Sequence, residues 1–393
     1  MSGDAPLRLT LDVTAVPANP AGAGRYTVEL ARALGERSDV ALTLVARRDD
    51  GRRWGGLGAA DRRPRVMASA PTARPVRLAW EQLRLPALLR SVRPDVHHGP
   101  HYTMPERADV PCVVTVHDCT FFDHPEWHER SKVLVFRRAI RTAAKRAAAI
   151  VCVSETTARR LQALCPVEAP IVVAPHGVDH RRFTPAEPDV GSDTRALERL
   201  GVDPGRPLVV FVGTIEPRKG VADLVAAFDR VAASHPDALL VLAGQEGWGD
   251  QAVGRALGAA DHPTQVRRTG YVPDDAVPAL LRRARVVAYP SLEEGYGLPA
   301  LEALACGTPL VTTSGTAMAE LADGAAVLVP PGRPAALAEA LDTLLSGDEA
   351  GAEERRAKGL EVAAGRTWAA SAARHLEAYR LAVSGRRPNG PTV

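Results

Sequence analysis

The chain has 393 residues, room for two α/β domains of ordinary size. Apolar residues make up 46% and charged residues 24%, a soluble, globular balance that excludes a disordered or membrane-embedded chain. A formal net charge of +3 is too mild to argue for nucleic acid as a partner, and no apolar run approaches membrane-spanning length.

Leu7 to Val13 reads as the first strand. It leads into PANPAGAGRY and a helix carrying Tyr26, Leu30 and Leu34. Gly22 and Gly24 form a G-x-G after a strand, but no third glycine follows at dinucleotide-fold spacing, which disfavours an oxidoreductase. An ordinary strand-to-helix turn explains the pair equally well. Val40 to Ala46 is the second strand. Residues 47–77 are rich in Arg, Gly and Pro and read as loops with a short strand near Val66. A helix interrupted by Pro86 precedes a strand around Asp95 to Gly99. His97, His98 and His101 have no paired carboxylate at ligand spacing, so a loop of satisfied or solvated histidines is preferred to a metal cluster. His101 and Tyr102 could instead line an acceptor pocket.

Pro111 to Asp118 (PCVVTVHD) is a buried strand ending in His117 and Asp118. A polar pair at the carboxyl end of a parallel strand lies where open α/β sheets bind ligands; the plainer alternative is a histidine capping a strand end. Glu126, Trp127 and Glu129 fall in the following loop. Ser131 to Ala149 is a helix with Leu134, Ile140 and Ala144 on one side and Arg137, Arg138, Arg141, Lys145 and Arg146 around the rest. Such a helix can lie on anionic lipid or hold an acceptor phosphate, although a solvated face over an alanine-rich stripe is the blander reading. A strand (AIVCVS) and a helix capped by Ser154 come next. Residues 185–207 have the Pro-, Gly- and Asp-rich composition of a linker with one short helix.

The second half opens with an apolar strand ending at Gly213. The loop TIEPRKG then sets Arg218 and Lys219 at a strand-to-helix turn, where a diphosphate can be neutralised, and the helix begins near Val221. ALLVLAGQ is a strand with Gly244 at its carboxyl end. After QVRRTGYVP, Asp274 or Asp275 is the expected cap of the next helix. The densest stretch is AYPSLEEGYGLPALEALACGTPLV, Ala288 to Val311. A β-branched strand end runs into Gly295 and Gly297, and Pro299 suits the first position of a helix that stops at Gly307. Helix-start amides receive phosphate oxygens. Glu294 before the loop and Glu302, expected in the first helical turn, are therefore better placed to accept hydrogen bonds from hydroxyls on either side of the anion. A Glu302 that merely complements the helix dipole is the alternative. Two strands around a short helix with Glu320 follow, the chain is helical from Pro334 to Arg380, and SGRRPNGPTV reads as a disordered tail.

The five cysteines (Cys112, Cys119, Cys152, Cys165 and Cys306) are odd in number and lack a C-x-x-C. That argues against a disulfide framework or zinc knuckle and for buried thiols at strand ends. MSGDAPLRLTLDV has no basic segment followed by a long apolar core, so no secretory signal is expected and the cytoplasm is the default location.

Glu294 and Glu302, with seven residues between them in EGYGLPALEALACGTPLV, resemble the E-x7-E signature of retaining glycosyltransferases of family 4, which adopt the GT-B fold. The resemblance covers nearly the whole chain. GAGRY looks like the amino-domain loop that faces the cleft, giving Gly22, Gly24 and Arg25 a place near phosphate or acceptor. The H-D of His117 and Asp118 matches the active-site histidine position, PHGVDHRRF resembles the end of the amino domain, and GTIEPRKG resembles the donor-phosphate loop.

The resemblance implies two Rossmann-like doubly wound domains, residues 1–185 on the acceptor side and 186–366 on the donor side. A crossover helix over 367–383 would return to the first domain, ahead of the tail at 384–393. It also implies His117, Asp118 and Glu294 at the reacting centre, and Gly213, Arg218, Lys219, Gly297 and Leu298 on the diphosphate. Glu302, Tyr271, Val272 and Gly244 would meet the nucleoside. No metal or cofactor is implied. The donor is expected to be a nucleotide-diphospho-sugar, with GDP-mannose favoured because GTIEPRKG and GAGRY look most like bacterial mannosyl- and rhamnosyltransferases of polysaccharide assembly. The acceptor is left open between a glycan, a lipid-linked group and a small molecule, with peripheral contact at the inner membrane face through 131–149 an added option. Rival readings are an epimerase or phosphorylase of the same fold and a non-catalytic nucleotide-sugar-binding partner. A phosphorylase needs a cofactor lysine in the second half, where only Lys219 and Lys358 occur; a non-catalytic partner should lack one of the five key residues, and all are present.

Overall fold

The computed structural model describes residues 5–58, 62–247, 251–347 and 351–385. Two compact units divide the chain: Met1–Gly177 with Trp368–Val393, and Val178–Thr367.

The first unit is built on seven strands, β1 (Leu7–Asp12), β2 (Val40–Arg47), β3 (Arg65–Ala70), β4 (Val96–Gly99), β5 (Cys112–Val116), β6 (Ala149–Cys152) and β7 (Ile171–Val173). All pairs are parallel, in the order β3-β2-β1-β4-β5-β6-β7. Its helices are α1 (Ala23–Gly35), α2 (Gly51–Trp54), α3 (Arg74–Leu83), α4 (Leu85–Val92), α5 (Thr120–Asp123), α6 (Arg130–Arg146) and α7 (Glu155–Leu164), joined by a C-terminal helix, Trp368–Ser384. A parallel sheet needs cover on both faces, which is why β6 reads as an unbroken apolar run, β5 as one broken only by Thr115, and both are buried throughout. The C-terminal helix supplies Ala372, Leu376, Tyr379 and Ala382 to the same core as Leu9, Leu30 and Val151.

Several local expectations are corrected here. The Arg-rich stretch contains helix α2, nucleated around Trp54, which is fully buried and donates its indole N–H to Asp50 at 3.2 Å. Pro86 does not break one helix; it sits in the first turn of a new one, where its missing N–H costs nothing. His97 and His98 lie within the expected strand, β4, and not in a loop of histidines, both fully buried. Leu134 is 72% exposed; α6 instead buries Val133, Phe136, Ile140, Ala143 and Ala144. Its cations are largely committed to neighbours, Arg137 to the Phe121 and Phe122 carbonyls and Arg138 to Glu106. Ser154 does cap α7, accepting from Thr157 N at 3.0 Å.

The second unit has six parallel strands, β8 (Leu208–Val212), β9 (Leu239–Ala243), β10 (Val266–Gly270), β11 (Ala284–Tyr289), β12 (Leu310–Thr313) and β13 (Ala326–Val329), ordered β10-β9-β8-β11-β12-β13. Its helices are α8 (Ser192–Arg199), α9 (Val221–Ala232), α10 (Gln251–Ala259), α11 (Val277–Arg283), α12 (Leu298–Ala305), α13 (Ala317–Ala322), α14 (Pro334–Ser346) and α15 (Ala352–Ala364). The linker-like stretch is anchored: Asp193 on α8 accepts a buried two-pronged bond from Arg282 on α11, at 2.6 and 2.8 Å. Helix α11 starts after Ala276 with no side-chain cap, so neither Asp274 nor Asp275 fills that role. All five cysteines are buried free thiols, but Cys165 and Cys306 cap helix ends and are not at strand ends. The expected tail from 386 onward lies outside the described residues.

Both sheets share one order, in which the chain reverses direction of growth between β1 and β4 and again between β8 and β11. At such a reversal the loops leaving adjacent strands part, opening a crevice at the carboxyl ends.

Burial sets a pH optimum for the first unit. It pushes His97 and His101 down to about 3 and His375 to about 4, against 6.5 for a free ring. Below pH 6.5 the unfolded chain therefore takes up protons that the folded one refuses, and stability falls with pH through that window. Glu81, raised to about 8 from 4.5 by burial and by Asp12, acts oppositely: its contribution is lost as pH rises toward 8. The first unit's thermal midpoint is expected to peak near pH 6.5. His97→Leu should flatten the acid limb and Glu81→Gln the alkaline one; limbs unchanged by both substitutions would refute this origin.

Candidate active site

In the second unit, the loop after β8 and the loop after β11 meet at the reversal point. Leu292 N donates to Arg218 O at 2.8 Å, joining them. Gly220, between Lys219 and α9, has φ +65°, and a Cβ there would lie 2.1 Å from Pro290 O, so only glycine lets the loops approach. This brings Arg218 and Lys219 onto Glu294. Arg218 Nη1 is 3.1 Å from Glu294 Oε2, and Lys219 Nζ contacts Glu294 Oε1. Arg218 Nε also donates to Glu216 at 2.9 Å. Lys219 is only 7% exposed. Its ammonium donates to the Tyr289 hydroxyl at 2.8 Å and lies 5.0 Å from the centroid of the same ring, which stacks on Phe211. Tyr289 and Glu216 are members of this cluster that reading by motif missed. The only sequence signal for Tyr289 is its place as the last residue of the strand that feeds the loop.

Helix α12 follows, with Gly297 as its N-cap at φ +100°. Pro299 has no N–H and Ala300 N donates to Gly297 O at 3.0 Å, so the amides that can point out of the helix mouth narrow to those of Gly297 and Leu298. Glu302 is not in the expected first turn of α12 but one turn further along, and is buried. The dipole explanation for this carboxylate therefore weakens. Gly213 and Gly244 close the floor, a Cβ on Gly244 falling 1.8 Å from Gly213 O. Tyr271 and Val272 leave β10 together, the first half exposed and the second buried.

In the first unit His117 follows β5 and Gly22, Gly24 and Arg25 follow β1. Gly22 is the N-cap of α1, at φ +46°. The residue after Arg25, Tyr26, sets its ring edge-on to His117, with centroids 5.0 Å apart. His117 is buried and hydrogen-bonded through Nε2 to Pro100 O at 2.8 Å. A carbonyl can only accept, so Nε2 carries the proton. Burial holds the ring below the ordinary histidine range despite the Pro100 carbonyl and Asp118, which favour protonation. The neutral imidazole thus presents Nδ1 as an acceptor. Asp118 turns away: its Oδ1 accepts from Thr120 N at 3.1 Å and Thr120 Oγ1 at 2.7 Å, and it acts on His117 through charge alone. Among the described residues no cluster of His, Cys, Asp or Glu is arranged to hold a metal ion, and no helix is long and apolar enough to cross a membrane.

Comparison with known proteins agrees with both halves. Residues 193–359 match the family model for glycosyl transferases group 1, and residues 20–182 match that for glycosyltransferase family 4. The chain is 27% identical to an O-antigen chain mannosyltransferase B of Escherichia coli over 81% of either chain. It is 30% identical to a glycogen synthase of Mycobacterium tuberculosis, covering 77% of this chain and 73% of that one. Several other relatives are matched over about half of their length. Among solved structures, a sucrose-phosphate synthase of Thermosynechococcus elongatus superposes with a TM-score of 0.78 over 97% of this chain and 100% of that one, at 19% identity.

Removing one partner of a buried ion pair strands the other charge, at a cost of roughly 3–5 kcal/mol. Lys219→Met and Glu294→Gln are each expected to lower the second unit's unfolding midpoint by several degrees. The double variant should lose less than the sum. Strict additivity in that cycle would mean the pair is not formed.

Proposed function

The chain belongs to glycosyltransferase family 4, with two Rossmann-like domains of the GT-B type, and is a sugar-transferring enzyme; on that premise we propose that it moves a hexose from a nucleotide-diphospho-sugar to an acceptor hydroxyl with retention of configuration. The observation that supports this most is the cluster of buried Lys219 with partly buried Arg218 and Glu294 beside the mouth of α12. Departure of a nucleoside diphosphate concentrates negative charge on the leaving oxygens. Cations fixed beforehand by a carboxylate stabilise that charge without reorganising.

In this reading Arg218, Lys219 and the amides of Gly297 and Leu298 hold the diphosphate. A carboxylate has about four lone-pair sites, so Glu294 can steady the cations and still accept from sugar hydroxyls. Glu302 receives the ribose hydroxyls, the backbone at Tyr271 and Val272 meets the base edge, and Gly244 gives the nucleotide close approach. His117 accepts a sugar hydroxyl at Nδ1, the nitrogen that its Pro100 bond leaves unprotonated. Asp118 contributes charge beside that ring, and Gly22, Gly24 and Arg25 line the acceptor side. The bond from the anomeric carbon to the phosphate oxygen breaks and one to the acceptor oxygen forms, the acceptor proton passing to the leaving phosphate. No metal or cofactor takes part.

The favoured donor is GDP-mannose, supported by the likeness to a mannosyltransferase and by the GTIEPRKG and GAGRY loops. The acceptor is a glycan, a lipid-linked group or a small molecule. Exposed Leu134 and Val135 on the basic helix α6 support peripheral attachment to anionic membrane. Residues 1–185 and 186–366 serve acceptor and donor, with 367–383 crossing back.

A thermal-shift panel of GDP-mannose, UDP-glucose, UDP-N-acetylglucosamine and dTDP-rhamnose tests the donor. The true donor at a hundredfold excess over Kd should stabilise by ~2.7 kcal/mol, and GDP-mannose is expected to lead. Absence of any shift would refute the nucleotide-sugar reading. Glu294→Ala and Lys219→Ala should each abolish transfer while keeping a cooperative unfolding transition; full transfer by either would remove that residue from the site.

A further inference from the structure

Behind His117 lies a buried line of hydrogen bonds whose direction is fixed from one end. His375 Nδ1 is 2.8 Å from Ser371 O, so it donates, and its neutral ring accepts at Nε2 from the Tyr26 hydroxyl at 2.7 Å. Having given its proton, the Tyr26 oxygen accepts from Thr115 Oγ1 at 2.8 Å. Thr115 in turn accepts from His98 Nε2 at 2.8 Å, and His98 Nδ1 accepts from the Tyr379 hydroxyl at 2.8 Å. Each of Tyr379, His98, Thr115, Tyr26 and His375 is fully buried. Every proton has one place, so both imidazoles are held in a single tautomer. The line begins and ends on the C-terminal helix and passes through β4, β5 and α1.

Two of the groups that hold His117 tie it to this line, Tyr26 as a member and Pro100 as the residue that follows its β4 segment. Tyr26 lays its ring edge-on to His117 and 4.7 Å from His176. Pro100, whose carbonyl accepts from His117 Nε2–H, follows β4 two residues after His98. Thr115 lies on β5 and His117 just past its end, two residues on.

We propose that this line is the positioning device for His117: through the Tyr26 ring and the Pro100 carbonyl, the C-terminal helix fixes the imidazole so that Nδ1 faces the sugar. Its effect on transfer rests on the reading of His117 as the sugar contact, but the fixed tautomer does not. None of the line's members touches substrate; Thr115, His98, His375 and Tyr379 act through Tyr26 and Pro100.

The test uses the full chain labelled with nitrogen-15 histidine. The His117 ring, assigned by its disappearance in His117→Gln, should show protonated Nε2 and bare Nδ1. Thr115→Val removes one hydroxyl and is expected to mix the two His117 tautomers. It should also lower kcat with GDP-mannose about tenfold with KM little changed, as misplacement of a reacting group does. Thr115→Ser should restore both. Tyr379→Phe, at the end of the line, should shift the pattern in the same direction and serves if Thr115→Val does not fold. Leu89→Ala, a core change in a cluster that contains none of the line's members, should lower stability without altering the pattern. An unshifted His117 pattern in the Thr115→Val or Tyr379→Phe protein, or a failure of Thr115→Ser to rescue, would overturn the proposal. A shifted pattern together with wild-type transfer by His117→Gln would leave the positioning intact and end the sugar-contact reading.

Discussion

An ammonium group held away from water is tolerable only beside a carboxylate, and the pairing of Lys219 with Glu294 is the constraint on which the second unit's crevice depends. The two residues are far apart in sequence and meet because β8 and β11 are neighbours at the point where the strand order reverses. Gly220 then removes the one Cβ that would hold the loops apart. Given that contact, Tyr289 beneath the ammonium and Arg218 on the other carboxylate oxygen have little freedom, and α12 begins three residues beyond Glu294, at its cap Gly297. The cluster is costly to bury and gains little as a stabilising device, which fits a site kept for what it binds.

The first unit solves the opposite problem. Its buried polar groups behind His117 are neutral, histidines that burial keeps uncharged and hydroxyls whose hydrogen bonds run in one direction. Under the proposed function the contrast is chemically apt. A diphosphate calls for fixed charge, whereas a sugar hydroxyl is oriented by a neutral acceptor that does not compete for counter-ions. A charged imidazole at His117 would need both ring nitrogens as donors and would lose the acceptor face.

What could be read from the residues alone follows the range of the interactions involved. Strand positions, the Ser154 cap and the glycine turn at Gly297 depend on neighbours within a few residues, and they were legible. Arg218, Lys219 and Glu294 could be singled out by spacing and resemblance, but their mutual pairing could not, since it is made across the sheet. Whether His97 and His98 are satisfied or solvated could not be read locally, because their partners, Thr10 for one and Thr115 and Tyr379 for the other, are supplied by distant strands and by the C-terminal helix. Leu134 was misassigned because an alanine-rich helix offers more than one plausible stripe, and packing against β5 and β6 picks the one containing Phe136 and Ile140. The cap at Asp274 or Asp275 failed for a related reason: helix α11 opens with Pro278 in its first turn, which already leaves one amide fewer to satisfy.

The placement of the last helix has a consequence for how the molecule is made. Residues from Trp368 onward complete the core of a unit whose other members were synthesised nearly two hundred residues earlier, so that unit is discontinuous in the chain. The intervening half has an uninterrupted sequence of its own and can close as soon as it emerges. Until the helix from Trp368 has been made, the first unit's sheet lacks the cover that Leu376 and Tyr379 supply to its core. Order of synthesis and order of consolidation are thus reversed: the part begun first is finished last.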